Sequence, residues 1–351
     1  MKKITDILVN KKKYIKPYII AEAGVNHENS MDNCKKMISE VANAGGDAIK
    51  FQAYKAENLA SVNSPAYWDT SLEKTKNQYL LFKKHDKFWK NEFETIYEEC
   101  QKQNIEFLCT PFDFESAKFL NDLVPAFKIS SSDVNNIPFI EYICEFKKPI
   151  IISTGASNKK EIDEVVKLLK LKEIDFSLLH CVLNYPTLDK DANLSRINNL
   201  MYEYPDAVIG YSDHTMPDKM ENILYAWLLG ATIIEKHYTF DKQLKGNDHY
   251  HSMNFTDLKL FISKVELISK ILGNGEINSG NNENLSRLNA RRSIILSQNL
   301  LKGASITKND ISYKRPGHGI SPNEINNVIN KKINKDKNKD DILFWEDLEN
   351  E

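Results

Sequence analysis

Ala-Val-Ile-Gly-Tyr-Ser-Asp-His-Thr (207–215) and Ala-Thr-Ile-Ile-Glu-Lys-His-Tyr-Thr (231–239) share one form, a short apolar run that breaks into a polar burst. A strand buried on both faces reads as a nearly continuous apolar run, and the burst marks where it surfaces. In extended chain alternate residues point to one side, which pairs Ser212 with His214 and Glu235 with His237. Two imidazoles are thereby aimed into one cavity from neighbouring strands. Neutral imidazole is the commonest metal ligand, and adjoining carboxylates or hydroxyls add oxygen donors or fix the tautomer. From these residues alone, two hydrogen-bonded strand-end histidines with no ligand remain the alternative.

Similar runs recur at 18–22, 48–52, 106–110, 126–130, 150–154 and 176–181, and most are separated by helical patterns such as 31–43, 88–103 and 160–171. Eight strand and helix alternations predict a closed (β/α)8 TIM barrel over 1–272. A doubly wound sheet would carry Gly-x-Gly-x-x-Gly after its first strand, whereas 22–27 reads Glu-Ala-Gly-Val-Asn-His. In such barrels the C-terminal strand ends build the active site, and here nearly every end is polar. They carry Glu22, Asn26 and His27; Lys50 and Gln52; Thr110; Lys128 and Ser131; Ser153; Asn184 and Tyr185; and the two bursts.

The Gly- and Asn-rich stretch 273–289 reads as a linker, and a smaller module of short strands and turns is expected over 290–351. Within it 331–341, alternating Lys, Asn and Asp, reads as a solvated loop without a function of its own. The 47 basic and 49 acidic residues nearly cancel, so no global field recommends nucleic acid or an anionic membrane. Five scattered cysteines without a Cys-x-x-Cys pair argue against a disulfide framework and for a reducing cytoplasm. No run approaches the ~20 apolar residues of a membrane span, and the N-terminus lacks a signal core.

Lysines within Ala-Ile-Lys-Phe-Gln and Ala-Phe-Lys-Ile-Ser seldom persist in strand interiors without an anion. Lys50 and Lys128 with Thr110, Ser131, Ser153 and Ser212 form a plausible cradle for a phosphate and a carboxylate together. With no cysteine beside them, His214 and His237 suit Mn²⁺, Mg²⁺ or a similar ion better than structural zinc. A metal beside a phosphorylated anion implies Lewis-acid carbon–carbon bond chemistry on a small molecule. His180, His249 and His251 read as core or loop residues, and Cys109 and Cys181 as small core hydrophobes.

The chain resembles the N-acetylneuraminate (sialic acid) synthase family, including its legionaminic and pseudaminic acid members. The resemblance rests on Ile-Ile-Ala-Glu-Ala-Gly-Val-Asn-His (19–27), Ile-Lys-Phe-Gln (49–52), Thr-Pro-Phe-Asp (110–113), Phe-Lys-Ile-Ser-Ser (127–131), Ser-Thr-Gly (153–155), Tyr-Pro-Thr (185–187) and the two bursts, all in order. It implies a barrel followed by a small antifreeze-like (SAF) domain that covers the partner's barrel mouth in a domain-swapped homodimer. It further implies that Lys50, Thr110, Lys128, Ser131, Ser153 and Ser212 hold phosphoenolpyruvate, that His214 and His237 hold Mn²⁺ or Mg²⁺, and that Glu22 is the acid/base residue. Gln52, Asp133, Tyr185 and Asp248 would line the sugar side, and Arg315 would reach it from the other subunit. The implied reaction joins C3 of phosphoenolpyruvate to the aldehyde of an open-chain N-acylated hexosamine, either N-acetylmannosamine or a 2,4-diacetamido-2,4,6-trideoxyhexose, giving a nonulosonic acid and phosphate. The chain departs from the family's usual pattern at Ser130-Ser131-Ser132-Asp133, at Leu183, at Glu28-Asn29 and at Asn247. A related synthase acting on an aldose phosphate, and an inactive sugar-binding relative, remain the alternatives.

Overall fold

Eight parallel strands form one sheet in the computed structural model: β1 (Tyr18–Gly24), β2 (Ala48–Ala53), β3 (Glu106–Pro111), β4 (Phe127–Ile129), β5 (Ile150–Ser153), β6 (Phe176–Cys181), β7 (Val208–Asp213) and β8 (Ile233–His237). The structure describes residues 2–10, 15–68, 70–71, 73–246 and 248–349; Asn247, one of the departures above, and the last two positions of the expected small module lie outside it. The strand order is β3-β2-β1-β8-β7-β6-β5-β4, with β1 and β8 joined in the middle. β4 lies beside β3 and brings the sheet round on itself, yet no hydrogen-bonded ladder links that pair among the described residues. The closed barrel expected from the strand count is thus a near-barrel with a seam, placed where the shortest strand, three residues long, meets its neighbour.

Registers across the sheet set the site. Glu22 stands opposite Lys50 and His237, Gln52 opposite Thr110, and Ser212 opposite Glu235. The strands are buried almost throughout, so their alternation sorts polar tips inward at the C-terminal ends and apolar side chains elsewhere. Helices fall where their patterns place them, at Met31–Ala44, Lys90–Lys102 and Lys159–Leu171. Ser30 caps the first, and Gly45 ends it in a left-handed conformation at φ 97°. A reciprocal Asn158–Glu161 capping box starts the third.

The other end of the barrel is stoppered by a short helix, Ile4–Leu8, absent from the expectations above. Ile4, Ile7 and Leu8 are buried against Tyr18, Ile20, Leu108, Ile151, Leu179 and Ile233. At about 1.5–3 kcal/mol for each fully buried aliphatic side chain, this contact is a substantial share of a domain's net stability. The Glu106 carboxylate accepts the Ile4 amide at 2.8 Å and the Tyr18 hydroxyl, fixing the stopper to β1 and β3.

Two compact units divide at Gly273/Asn274. In the second, β9 (Ser293–Leu296) pairs antiparallel with β10 (Ile311–Lys314) over a core that includes Ile294, Leu296, Ile306, Val328, Ile333 and Leu343. Residues 273–289 are exposed, as a linker's composition implies, but part of that stretch coils as the helix Asn284–Ala290. Leu-Ser-Arg-Leu-Asn-Ala is a helical pattern hidden behind Asn-rich flanks, and the Leu288 carbonyl accepts the Gly317 amide at 2.7 Å. The segment 331–341 is not merely a solvated loop. Ile333 is fully buried, Lys332 and Lys337 bridge to Ser305 and Leu300, and the Lys337 ammonium lies 2.8 Å from the buried Asp347 carboxylate. Charge alternation concealed an anchor. All five cysteines are free and buried, and no helix among the described residues is long and apolar enough to cross a membrane.

Candidate active site

At the C-terminal strand ends a chamber of about 40 Å³ is lined by Glu22 of β1, Lys50 and Gln52 of β2, Thr110 of β3, Lys128 of β4, Ser153 of β5, Ser212 of β7 and Glu235 and His237 of β8, with Ser131, Tyr185 and His214 from following loops. Every residue expected to hold an anion is therefore brought together. Lys50 Nζ lies 2.5 Å from Glu22 Oε2, donates to Thr110 Oγ1 at 2.9 Å, and stands 3.8 Å from Glu235 Oε1. Lys128 Nζ is 3.3 Å from the same Glu235 oxygen, to which Ser212 Oγ also donates at 3.3 Å. Gln52 Nε2 donates to Glu22 Oε1 at 2.8 Å. Both lysines are thus ion-paired within the barrel, and Glu235 is the carboxylate they share. In the sequence Glu235 reads only as a neighbour of His237; its place two residues earlier, on the same face of the strand, is the signal for this role.

Burial pushes Glu22 up to about 7, with Lys50 pulling it down and Glu235 pushing it further up. Burial also opposes ionisation of Glu235, but Lys128 and Lys50 outweigh it and hold that group below its ordinary range. For Lys50 the penalty of burial is overcome by Glu22 and Glu235, which raise it; for Lys128 burial wins and lowers it. Two ammonium groups, one firm carboxylate and one half-protonated acid leave this chamber net positive near neutral pH. Ser153 Oγ and Glu235 Oε2 are buried without a hydrogen-bond partner, an arrangement that costs stability unless a ligand uses them.

His214 and His237 face each other with ring centroids 5.4 Å apart, and Tyr185 lies over His214 at 4.1 Å. His214 Nδ1 is 2.8 Å from the Val182 carbonyl, which assigns the proton to that nitrogen and leaves Nε2 a lone pair. His237 Nδ1 is buried with no hydrogen-bond partner. Burial keeps both rings neutral, His214 down to about 4 and His237 well below its ordinary value. Behind them the outward-facing pair Asp213–Lys236, 2.6 Å apart and almost fully buried, ties β7 to β8 at the level of the two histidines. Two neutral imidazoles, one with an orphaned nitrogen, fit a divalent cation; no group of three candidate ligand side chains is assembled among the described residues.

The chamber shares Gln52, Phe112, Ser130, Tyr185 and His237 with a larger cavity of about 460 Å³. Three expected sugar-side residues line both or the larger one as Gln52, Tyr185 and Asp133, and Asp248 joins them there. Burial pushes Asp133 up to about 6. Asp248 is opposed by burial but held low by His251 and His237, with Oδ2 3.8 Å from His237 Nδ1. Further lining comes from residues between 54 and 85, among them Tyr54, Tyr67, Trp68 and Phe82, where the sequence shows no clear strand or helix period. Arg315 belongs to the second unit, where it is exposed just after β10.

The NeuB family model matches residues 37–277, most of the barrel just described. The chain belongs to the NeuB family. The SAF domain model matches 291–349, so this NeuB-family barrel is followed by a SAF domain. The chain is 34% identical to the N,N'-diacetyllegionaminic acid synthase of Legionella pneumophila over 95% of its own length and 94% of that protein's. It is 35% identical to the protein of the same name from Campylobacter jejuni, over 87% and 92% of the two lengths. Among solved structures, the N-acetylneuraminic acid (sialic acid) synthetase of Leptospira borgpetersenii, crystallised with citrate, superposes with a TM-score of 0.68 at 38% identity, covering 77% of this chain and 90% of that one. The chain is also 31% identical to the pseudaminic acid synthase of Campylobacter jejuni, over 88% of its own length and 89% of that protein's.

Proposed function

We propose that the protein is a nonulosonic acid synthase that condenses phosphoenolpyruvate with an open-chain N-acylated hexosamine. The observation that carries this reading is the nesting of a cationic 40 Å³ chamber against a 460 Å³ cavity, with His237 and Tyr185 in the shared wall. Phosphoenolpyruvate, small and multiply anionic, suits the chamber. Lys50 and Lys128 neutralise it, and Thr110, Ser131, Ser153 and Ser212 supply directional contacts. The sugar takes the larger cavity against Gln52, Asp133, Tyr185 and Asp248, with its aldehyde toward the histidines. C3 of phosphoenolpyruvate attacks the aldehyde carbon, water adds at C2, and the tetrahedral centre expels phosphate by C–O cleavage. Glu22, poised at about 7, gives and takes the proton at the reacting carbons, and Gln52 holds its other oxygen in place. A divalent cation on His214 and His237, Mn²⁺ or Mg²⁺, would polarise the aldehyde. Arg315 reaching the sugar from a second copy in a domain-swapped dimer belongs to the same proposal.

An aldose-phosphate acceptor is disfavoured, because the larger cavity is lined by Glu28, Glu73, Asp133 and Asp248 and, the proposed Arg315 apart, by no Lys or Arg among the described residues. The test is phosphate release from phosphoenolpyruvate with Mn²⁺ and a panel of N-acylated hexosamines, with EDTA and His214→Ala as controls. Metal-dependent release with one sugar is expected. Folded, metal-loaded protein that releases no phosphate with any of them would move the reading to a sugar-binding relative.

A further inference from the structure

The turn after β1 holds two successive non-glycine residues in the left-handed region, Glu28 at φ 53° and Asn29 at φ 54°. Asparagine visits that region readily, but glutamate has no local hydrogen bond to offset the crowding of its Cβ. Amide-to-carbonyl bonds from Asn26 to Ala23, Glu28 to Val25 and Ser30 to His27, at 2.8–3.0 Å, hold the turn in place. Glycine would meet this backbone without strain, so a glutamate here points to a use for its side chain.

That side chain lines the larger cavity and keeps 42% of its surface exposed. Its Oε1 is 3.1 Å from Nε2 of His249, a ring that is 1% exposed and whose Nδ1 lies 2.8 Å from Thr239 Oγ1. The Thr239 hydroxyl donates to that Nδ1 and accepts the Asp241 amide at 3.2 Å, which leaves the ring's one proton on Nε2, facing Glu28. A buried relay thus clamps one carboxylate oxygen and leaves Oε2 as a further acceptor. Glu73, Asp133 and Asp248 add to the acidity of the same cavity.

We propose that Glu28 is the acceptor-selecting residue, whose carboxylate takes a hydrogen bond from a hydroxyl or amide N–H of an uncharged sugar and repels a phosphorylated one. The assignment rests on the synthase reading above. It is tested with N-acetylmannosamine and its 6-phosphate as probes, by calorimetric binding and by steady-state turnover, on wild type, Glu28→Gln and Glu28→Gly. Wild type is expected to bind the uncharged sugar more tightly than the phosphate. Glu28→Gln should shift that ratio toward the phosphate by about tenfold, because the repelling charge is gone while the side chain's shape remains. Glu28→Gly should weaken the uncharged sugar by about tenfold, leave the KM for phosphoenolpyruvate unchanged, and raise or preserve the melting temperature, because strain is relieved as a contact is lost. A wild type with no preference for the uncharged sugar, or a Glu28→Gln ratio equal to wild type, overturns the proposal, as does a Glu28→Gly protein that melts lower while binding the sugar normally. Calorimetry reads these contrasts without turnover, so absence of phosphate release would count against the synthase reading separately.

Discussion

Glu22 and Glu235 both reach Lys50, and only Glu235 reaches Lys128 as well; they titrate in opposite directions, and the difference assigns their work. Glu235, bonded to Lys128 and near Lys50, stays ionised and balances charge; Glu22, less compensated, changes protonation near pH 7. Below about 7 Glu22 is mostly protonated and above it mostly ionised, so kcat/KM should break near that pH, and Glu22→Gln should remove the break while lowering kcat by about 10²-fold or more. Mn²⁺ binding followed by electron paramagnetic resonance should survive the substitution; its loss would instead make Glu22 part of the metal site. The lysines themselves were legible, because an ammonium inside a β-branched strand has few explanations. Glu235 as their common partner was not, since Lys50 and Lys128 reach it from β2 and β4, strands that only the curling of the sheet brings near β8.

At the scale of elements the active site depends on how closely β7 can lie against β8. Gly210 makes that possible: a Cβ there would sit 2.4 Å from Leu179 Cδ2 and 2.5 Å from the Ile233 carbonyl oxygen. The second contact is backbone, so Gly210→Ala must push the strands apart and move Ser212 and His214 away from Glu235 and His237. A loss of about 1–3 kcal/mol in urea unfolding is expected, with Mn²⁺ affinity falling as well. Unchanged Mn²⁺ affinity in the folded variant would mean that the pair does not need this spacing. Strands with polar tips were readable from pattern alone because burial on both faces leaves an apolar run with an abrupt end. The Ile4–Leu8 stopper was not, since five residues show no period and what makes them helical is the greasy hole they fill. The helix Asn284–Ala290 escaped for the opposite reason, a local pattern outvoted by its flanks.

For the whole molecule, acid should act on the barrel through histidines buried neutral. His27 stacks on Phe88 at 4.7 Å, and burial, with His85 adding to it, holds the ring down to about 4. Its unfolded value is near 6.5, so between 6.5 and 4 the unfolded chain takes a proton that the folded one refuses, and stability falls as pH drops through that window. The loss from this residue is of order 3 kcal/mol at its lower end. His27→Phe should flatten the pH dependence of urea unfolding there; an unaltered slope would place the titration elsewhere. The stopper at the opposite end of the barrel has a further consequence, for traffic. With Ile4, Ile7 and Leu8 sealing one mouth, the cationic chamber is left to fill from the C-terminal face, where the cavity assigned to the sugar adjoins it. A seated sugar would then stand across that approach, so the expected order of arrival is phosphoenolpyruvate first. An unreactive sugar analogue should inhibit uncompetitively against phosphoenolpyruvate, and the phosphate set free inside should wait for the new acid to depart before it can escape.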